Sequence, residues 1–101
     1  MNAKLKKKFR AIGHRLKPVV TIAGKGLSDS VCAELNRAMD DHELIKVRIV
    51  GAREERAEMV KKISQIEAAE IIQIVGGVVL LYRPAQKPNL ASSNIVRSKL
   101  L

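Results

Sequence analysis

Residues 19–29 constrain this chain more than any other stretch. The apolar run Val19-Val20-Thr21-Ile22 reads as a strand. Ala23-Gly24-Lys25-Gly26-Leu27 follows, and Val31, Leu35, Ala38 and Met39 then take the spacing of one helix face. A strand that turns through a Gly-Lys-Gly loop into an amphipathic helix commits the fold to a βα unit. Glycine lets the backbone bend and lets another chain approach closely. The free N–H groups of a helix start attract anions, phosphate most readily. Lys25 adds a mobile positive charge at that junction.

The remaining elements follow from periodicity. Residues 3–15 form a first helix with Leu5, Phe9 and Ile12 as its apolar stripe. At 100° per residue Lys7, Arg10 and His14 fall opposite that stripe, flanked by Lys4, Lys6, Lys8 and Arg15. Gly13 and Pro18 punctuate its end. A membrane-surface helix has a similar basic amphipathic pattern, but so narrow a stripe fits packing against a sheet better. Strand one covers 19–22 and helix two 28–41, with Ser28 or Asp29 as N-cap. Strand two covers 44–50, where Ile45, Val47 and Ile49 alternate with Lys46 and Arg48, giving one buried and one basic face. Helix three spans 52–68, with Ala57, Val60, Ile63 and Ile66 inward and charges of both signs outward. Strand three covers 70–75, Gly76-Gly77 signals a hairpin, and strand four, 78–83, is apolar enough to be central.

The expected fold is α/β (α+β): a single domain of order α-β-α-β-α-β-β with a four-stranded mixed sheet packed with helices. Right-handed crossovers put helices two and three on one face, and helix one covers part of the other. The domain spans residues 1–84. Pro84, Pro88, Asn89, Ser92, Ser93 and Asn94 mark 85–101 as a flexible basic tail, with a short helix over 95–101.

Charge narrows the function. The net charge is +9, and it comes from the two ends. Residues 1–18 carry Lys4, Lys6, Lys7, Lys8, Arg10, Arg15 and Lys17 without an acid; residues 83–101 carry Arg83, Lys87, Arg97 and Lys99, again without one. An ordinary solvated surface mixes both signs, so acid-free ends point to a polyanionic partner. Phe9 and Tyr82 are the only aromatic residues, which argues against base stacking on an RRM-type sheet. No apolar run approaches the roughly 20 residues that span a bilayer, and no signal-peptide core follows the basic start. The setting expected is cytoplasmic.

Enzyme readings fit poorly. A nucleotide-hydrolysing loop needs G-x-x-x-x-G-K-[ST]; here Gly26 follows Gly24-Lys25 and the magnesium-binding hydroxyl is missing. A dinucleotide fingerprint needs a third glycine where Asp29 stands. Asp40-Asp41-His42-Glu43 are consecutive at a helix end and fan out around the axis, so they read as a polar helix exit and not as metal ligands. The lone Cys32 reads as a buried, inert thiol. No cofactor or metal is expected, and no small-molecule substrate. A plain strand-to-helix turn remains one account of the loop; backbone clamping of RNA phosphates, as a GXXG loop does, suits the charged ends better.

Four segments in series carry a resemblance: Leu16-Lys17-Pro18-Val19-Val20, Ala23-Gly24-Lys25-Gly26-Leu27, His42-Glu43-Leu44-Ile45-Lys46-Val47-Arg48, and Gly76-Gly77-Val78-Val79-Leu80-Leu81-Tyr82-Arg83-Pro84. Together they resemble the CRM (chloroplast RNA splicing and ribosome maturation) domain, in its stand-alone bacterial YhbY-like form, over residues 3–84. The resemblance implies an RNA-binding domain similar in topology to the C-terminal domain of a bacterial translation initiation factor. It also implies a link to large ribosomal subunit precursors. The family's loop is commonly G-x-x-G; aligned on Ala23 to Gly26, its first glycine is Ala23 here, which requires a negative φ at that residue.

The expected protein is thus a non-enzymatic, monomeric RNA-binding protein acting on large-subunit ribosomal RNA during assembly. Lys25 with Gly24 and Gly26 is expected to meet phosphates. Lys7, Arg10, His14, Arg15 and Lys17 form a basic track beside them, Lys46 and Arg48 extend it over the sheet, and Arg83 lies at a strand end. A small DNA-binding architectural protein and a protein–protein adaptor on the ribosome surface are the rival readings.

Overall fold

The computed structural model describes residues 1–23 and 26–98. The elements run α1 (Ala3–Gly13), β1 (Pro18–Ile22), α2 (Asp29–His42), β2 (Leu44–Ile49), α3 (Arg53–Ser64), β3 (Glu70–Val75) and β4 (Val78–Tyr82). The sheet order is β1-β2-β4-β3. β1 pairs parallel with β2, whereas β4 runs antiparallel to both β2 and β3. The apolar β4 is therefore an interior strand, as its composition predicts. The expected mixed sheet and element order are both found.

Local chemistry sets the helix starts. Asn2 Oδ1 accepts from the Leu5 N–H at 2.8 Å, and Ser28 Oγ from the Val31 N–H at 3.3 Å. Glu55 Oε1 reaches back to the Ala52 N–H at 3.2 Å to open α3. Each satisfies a donor that the first helical turn leaves free.

Two apolar clusters lie on opposite sides of the sheet. Val20, Ile22, Ile45, Val47, Ile49, Val79 and Leu81 bury one face against Leu35 and Met39 of α2 and Ile63 of α3. On the other face Phe9 and Ile12 of α1 pack with Leu44, Ile72 and Leu80. Phe9 and Tyr82 meet at 4.6 Å between ring centroids, tilted by 57°, close to the edge-to-face arrangement that aromatic quadrupoles favour. Helices two and three thus share one face and α1 covers part of the other, as right-handed crossovers require.

Three details depart from the sequence expectations. α3 stops at Ser64, and Ala68 has a positive φ of 62°, which ends helical geometry before residue 68. Its inward stripe uses Met59, Val60 and Ile63, with Ile66 packing on the same cluster from just beyond the helix, and Ala57 is exposed. Cys32 is half-buried rather than buried.

The third departure is the tail. The flexible segment expected over 85–101 is instead docked through its described part. Ser93 is fully buried, and its hydroxyl donates to Glu43 Oε1 at 2.7 Å. The Ala85 N–H donates to Glu43 Oε2 at 2.9 Å. The Asn94 N–H bonds to the His42 carbonyl at 2.9 Å, and Asn94 Nδ2 donates to the Leu44 carbonyl at 2.7 Å. Ile95 joins the α1 cluster. A buried carboxylate needs hydrogen-bond donors, and this segment provides two of them. The expected helix over 95–101 falls partly outside the described residues; 90–92 and 94–97 form turns.

Candidate nucleic-acid interface

α1 covers only one end of its sheet face. It packs over Leu44, Ile72 and Leu80 and leaves the other end open. Lys46 and Arg48 alternate with the buried Ile45, Val47 and Ile49, so they point to this outer face; Lys46 is half-buried and Arg48 exposed. The β2–β4 register pairs Lys46 with Leu80 and Arg48 with Val78. Period-2 alternation alone delivers both cations to one surface.

A cleft of about 330 Å³ opens there, lined by Arg10, His14, Lys46, Gln73, Val75, Val78 and Leu80. Its lining combines the aliphatic Val75, Val78 and Leu80 with the cations Arg10 and Lys46. Gln73 reaches it because β3 shifts register between Ile71 and Gln73. No alternation rule in the sequence announces that shift.

The cleft also corrects the reading of α1. Periodicity puts Arg10 and His14 opposite the apolar stripe. Both line the cleft; His14 is exposed, whereas Arg10 is half-buried. The cause is Gly13, which is itself buried. A Cβ on Gly13 would lie 2.6 Å from Leu80 Cδ2, so this side of α1 rests on β4. The inward face is therefore rotated from the Leu5–Phe9–Ile12 stripe toward Arg10. Lys7, Arg15 and Lys17 are exposed.

The other expected positions divide. Gly24 and Lys25 lie outside the described residues. Gly26 is buried with φ 78°, and an added Cβ would stand 2.7 Å from Met59 Sδ. Its N–H bonds to the Ala23 carbonyl at 3.3 Å and its carbonyl accepts from Ser28 at 3.0 Å. Gly26 thus closes the turn into α2 and packs on α3. Ala23 is not among the non-glycine residues with positive φ, as its place in the loop demands.

Arg83 does not join the cation face. Its guanidinium donates to Asn36 Oδ1 at 2.7 Å and pairs with Asp40 at 3.0 Å, with 16% of the side chain exposed. It ties the end of β4 to α2, on the opposite side of the sheet from α1. A larger cleft, about 570 Å³, is lined in part by Arg83 itself and Lys87, and its cations are offset by Asp40 and Glu67. Those acids make it a poor seat for a polyanion.

Sequence reasoning missed two residues that line these clefts. Gln73 depended on the register shift. Arg97 depended on docking of 89–98: it lines a smaller cleft, about 210 Å³, with Leu16, Lys17, Val19, His42, Ile45, Lys46 and Asn94. Tyr82, at the α1 end of this face, has its phenol pKa raised above the usual 10.0, first by burial and then by the charges of Glu43 and Glu70.

Comparison with known proteins bears on what such a face does. The family model of the CRS1/YhbY (CRM) domain matches residues 1–83. A Pseudomonas aeruginosa protein named "probable RNA-binding protein" is 44% identical, over 91% of this chain and 89% of its own length. A Haemophilus influenzae protein named "RNA-binding protein" is 35% identical, over 89% of this chain and 92% of its own. Among solved structures, a hypothetical protein of Staphylococcus aureus matches with a TM-score of 0.72 at 22% identity, covering 86% of this chain and 92% of that one; at that identity the likeness shows the fold.

Proposed function

This chain belongs to the CRS1/YhbY (CRM) domain family, and from that premise we propose that it is an RNA-binding protein whose partner is large-subunit ribosomal RNA in assembling particles. The observation that carries the reading is the open end of the α1 sheet face, where Arg10, His14 and Lys46 surround one cleft and Arg48 extends the charge. Cations among aliphatic side chains suit a strand whose phosphates and bases are both within reach. The relatives' names support RNA as the polyanion.

In this reading the protein acts as a cytoplasmic monomer and catalyses nothing. Arg10, His14, Lys46 and Arg48 meet RNA on the sheet. Lys7, Arg15 and Lys17 add long-range attraction, and Lys25 with its flanking glycines clamps a phosphate at the start of α2. The ribosomal target rests on the resemblance to the bacterial YhbY-like form.

Sedimentation tests it. The protein should travel with large-subunit precursors in a low-salt gradient and leave them at high salt, because each phosphate contact releases counterions. Crosslinking in cells with sequencing of the bound RNA should enrich one region of large-subunit RNA. Sedimentation at the top of the gradient at every salt, with no RNA recovered, refutes the proposal.

A further inference from the structure

We infer that the docked C-terminal segment is part of the RNA-binding surface, and that Arg97 completes with Lys17 and Lys46 a second phosphate site beside the sheet cleft. The inference rests on the RNA-binding reading above and extends it to a segment that lies beyond the family model's match at residue 83.

Three observations carry it. First, the position of residues 92–97 is specified by bonds to the start of β2. His42 Nδ1 lies 3.0 Å from the Ser92 carbonyl, Ser93 Oγ donates to the buried Glu43, and Asn94 holds the His42 and Leu44 carbonyls. The Arg97 N–H then bonds to the Ser93 carbonyl at 3.0 Å. Arg97 is thus one turn from a fully buried anchor, and its side chain lines the cleft while the residue stays exposed.

Second, the cleft gathers three cations, Lys17, Lys46 and Arg97, with no acid in its lining. They come from the α1–β1 connection, from β2 and from the chain end. Like charges so placed repel one another, and an anion lodged between them removes that cost. Third, Lys46 lines both clefts. The two sites are therefore adjacent along one surface, and a single strand can pass from one to the other across Lys46.

The test compares two variants of equal net charge in the full chain. Arg97→Gln removes the proposed contact. Lys87→Gln removes a charge from the cleft that holds Asp40 and Glu67, on the α2 side. Binding of a fluorescent single-stranded oligoribonucleotide from large-subunit RNA is measured across a salt series. One phosphate contact contributes about 0.7 to the slope of log affinity against log salt, so it is worth about five-fold between 1 M and 0.1 M salt. Arg97→Gln should bind about five-fold more weakly than the parent at about 0.1 M salt, with the slope shallower by about 0.7, and Lys87→Gln should match the parent. Equal losses in both variants would mean that net charge alone matters, and would overturn the inference. So would an unchanged affinity for Arg97→Gln. A parent that binds no RNA at any salt instead refutes the RNA-binding reading itself. Arg97 and Lys87 are both exposed, and matching melting temperatures confirm that each variant is folded.

Discussion

Gly26 and Gly76 both hold left-handed backbone, at φ 78° and 58°, but for different surroundings. A side chain at Gly26 meets the Met59 thioether, whereas one at Gly76 meets open space within 4 Å. Either glycine replaced by alanine incurs about 1–2 kcal/mol of backbone strain. Gly26→Ala must in addition displace Met59, which a flexible thioether allows only in part. Urea denaturation should rank Gly26→Ala below Gly76→Ala, and Gly76→Asn close to the parent, because Asn tolerates this region. Tyr82 gives a second test at this scale. Its raised pKa means that the native state holds the phenolic proton more tightly than the unfolded chain. Its contribution to stability is complete below about pH 10 and is lost as pH rises through the higher folded value. The melting temperature of the parent should fall more steeply than that of Tyr82→Phe from about pH 9 to about pH 11. As the sole tyrosine, its phenolate absorbance reports the titration directly. Parallel curves would show that Tyr82 is not linked to unfolding.

At the scale of elements, α1 presents two faces, one packed on the sheet and one carrying cations. Phe9 is 2% exposed and anchors it through Tyr82 and the second apolar cluster. Phe9→Ala should cost about 3–5 kcal/mol, a large share of the 5–15 kcal/mol typical of a domain's stability. Arg10→Gln should leave melting nearly unchanged and weaken RNA binding. Lys7→Gln should weaken it less, because Arg10 lines the sheet cleft and Lys7 does not. Equal effects from the two would mean that the helix acts only as a diffuse charge. The C-terminal segment likewise becomes an element through side chains. Glu43, with φ 60°, offers two carboxylate oxygens and its backbone carbonyl, which accepts from the Arg83 N–H at 3.0 Å. Three points of the chain end converge on that one residue.

For the whole molecule, a charge of +9 on 101 residues sets two opposite salt responses. Self-repulsion destabilises a compact, highly charged chain, and salt screens it. The free protein should therefore melt higher as salt rises from about 50 mM to about 200 mM, while its RNA affinity falls over the same range. Calorimetry and a binding titration in the same buffers check the pair. Melting that falls with salt would mean that attractive pairs dominate, although only Met1–Glu70 and Arg83–Asp40 stand as ion pairs among the described residues.

What depends on local periodicity and local capping is legible in the residues alone. Apolar spacing located all seven elements, alternation put Lys46 and Arg48 on one face, and Ser28 and the Gly76-Gly77 hairpin marked their own ends. The composition of the ends and four short segments pointed to an RNA-binding family, of which the chain is a member. The rest is visible only in the folded chain, because contacts between distant residues have no period. Gly13 has no side chain to count in a stripe, yet its contact with Leu80 sets the rotation of α1 and brings Arg10 and His14 over the sheet. The register shift in β3 chose Gln73. Arg83 looks as available as any cation in the sequence, but Asn36 and Asp40, more than forty residues away, occupy its donors. A tail rich in proline, serine and asparagine reads as flexible because it buries little by itself. Its order comes from the unmet hydrogen-bonding capacity of Glu43, which Ser93 and Ala85 satisfy across some forty to fifty residues of chain.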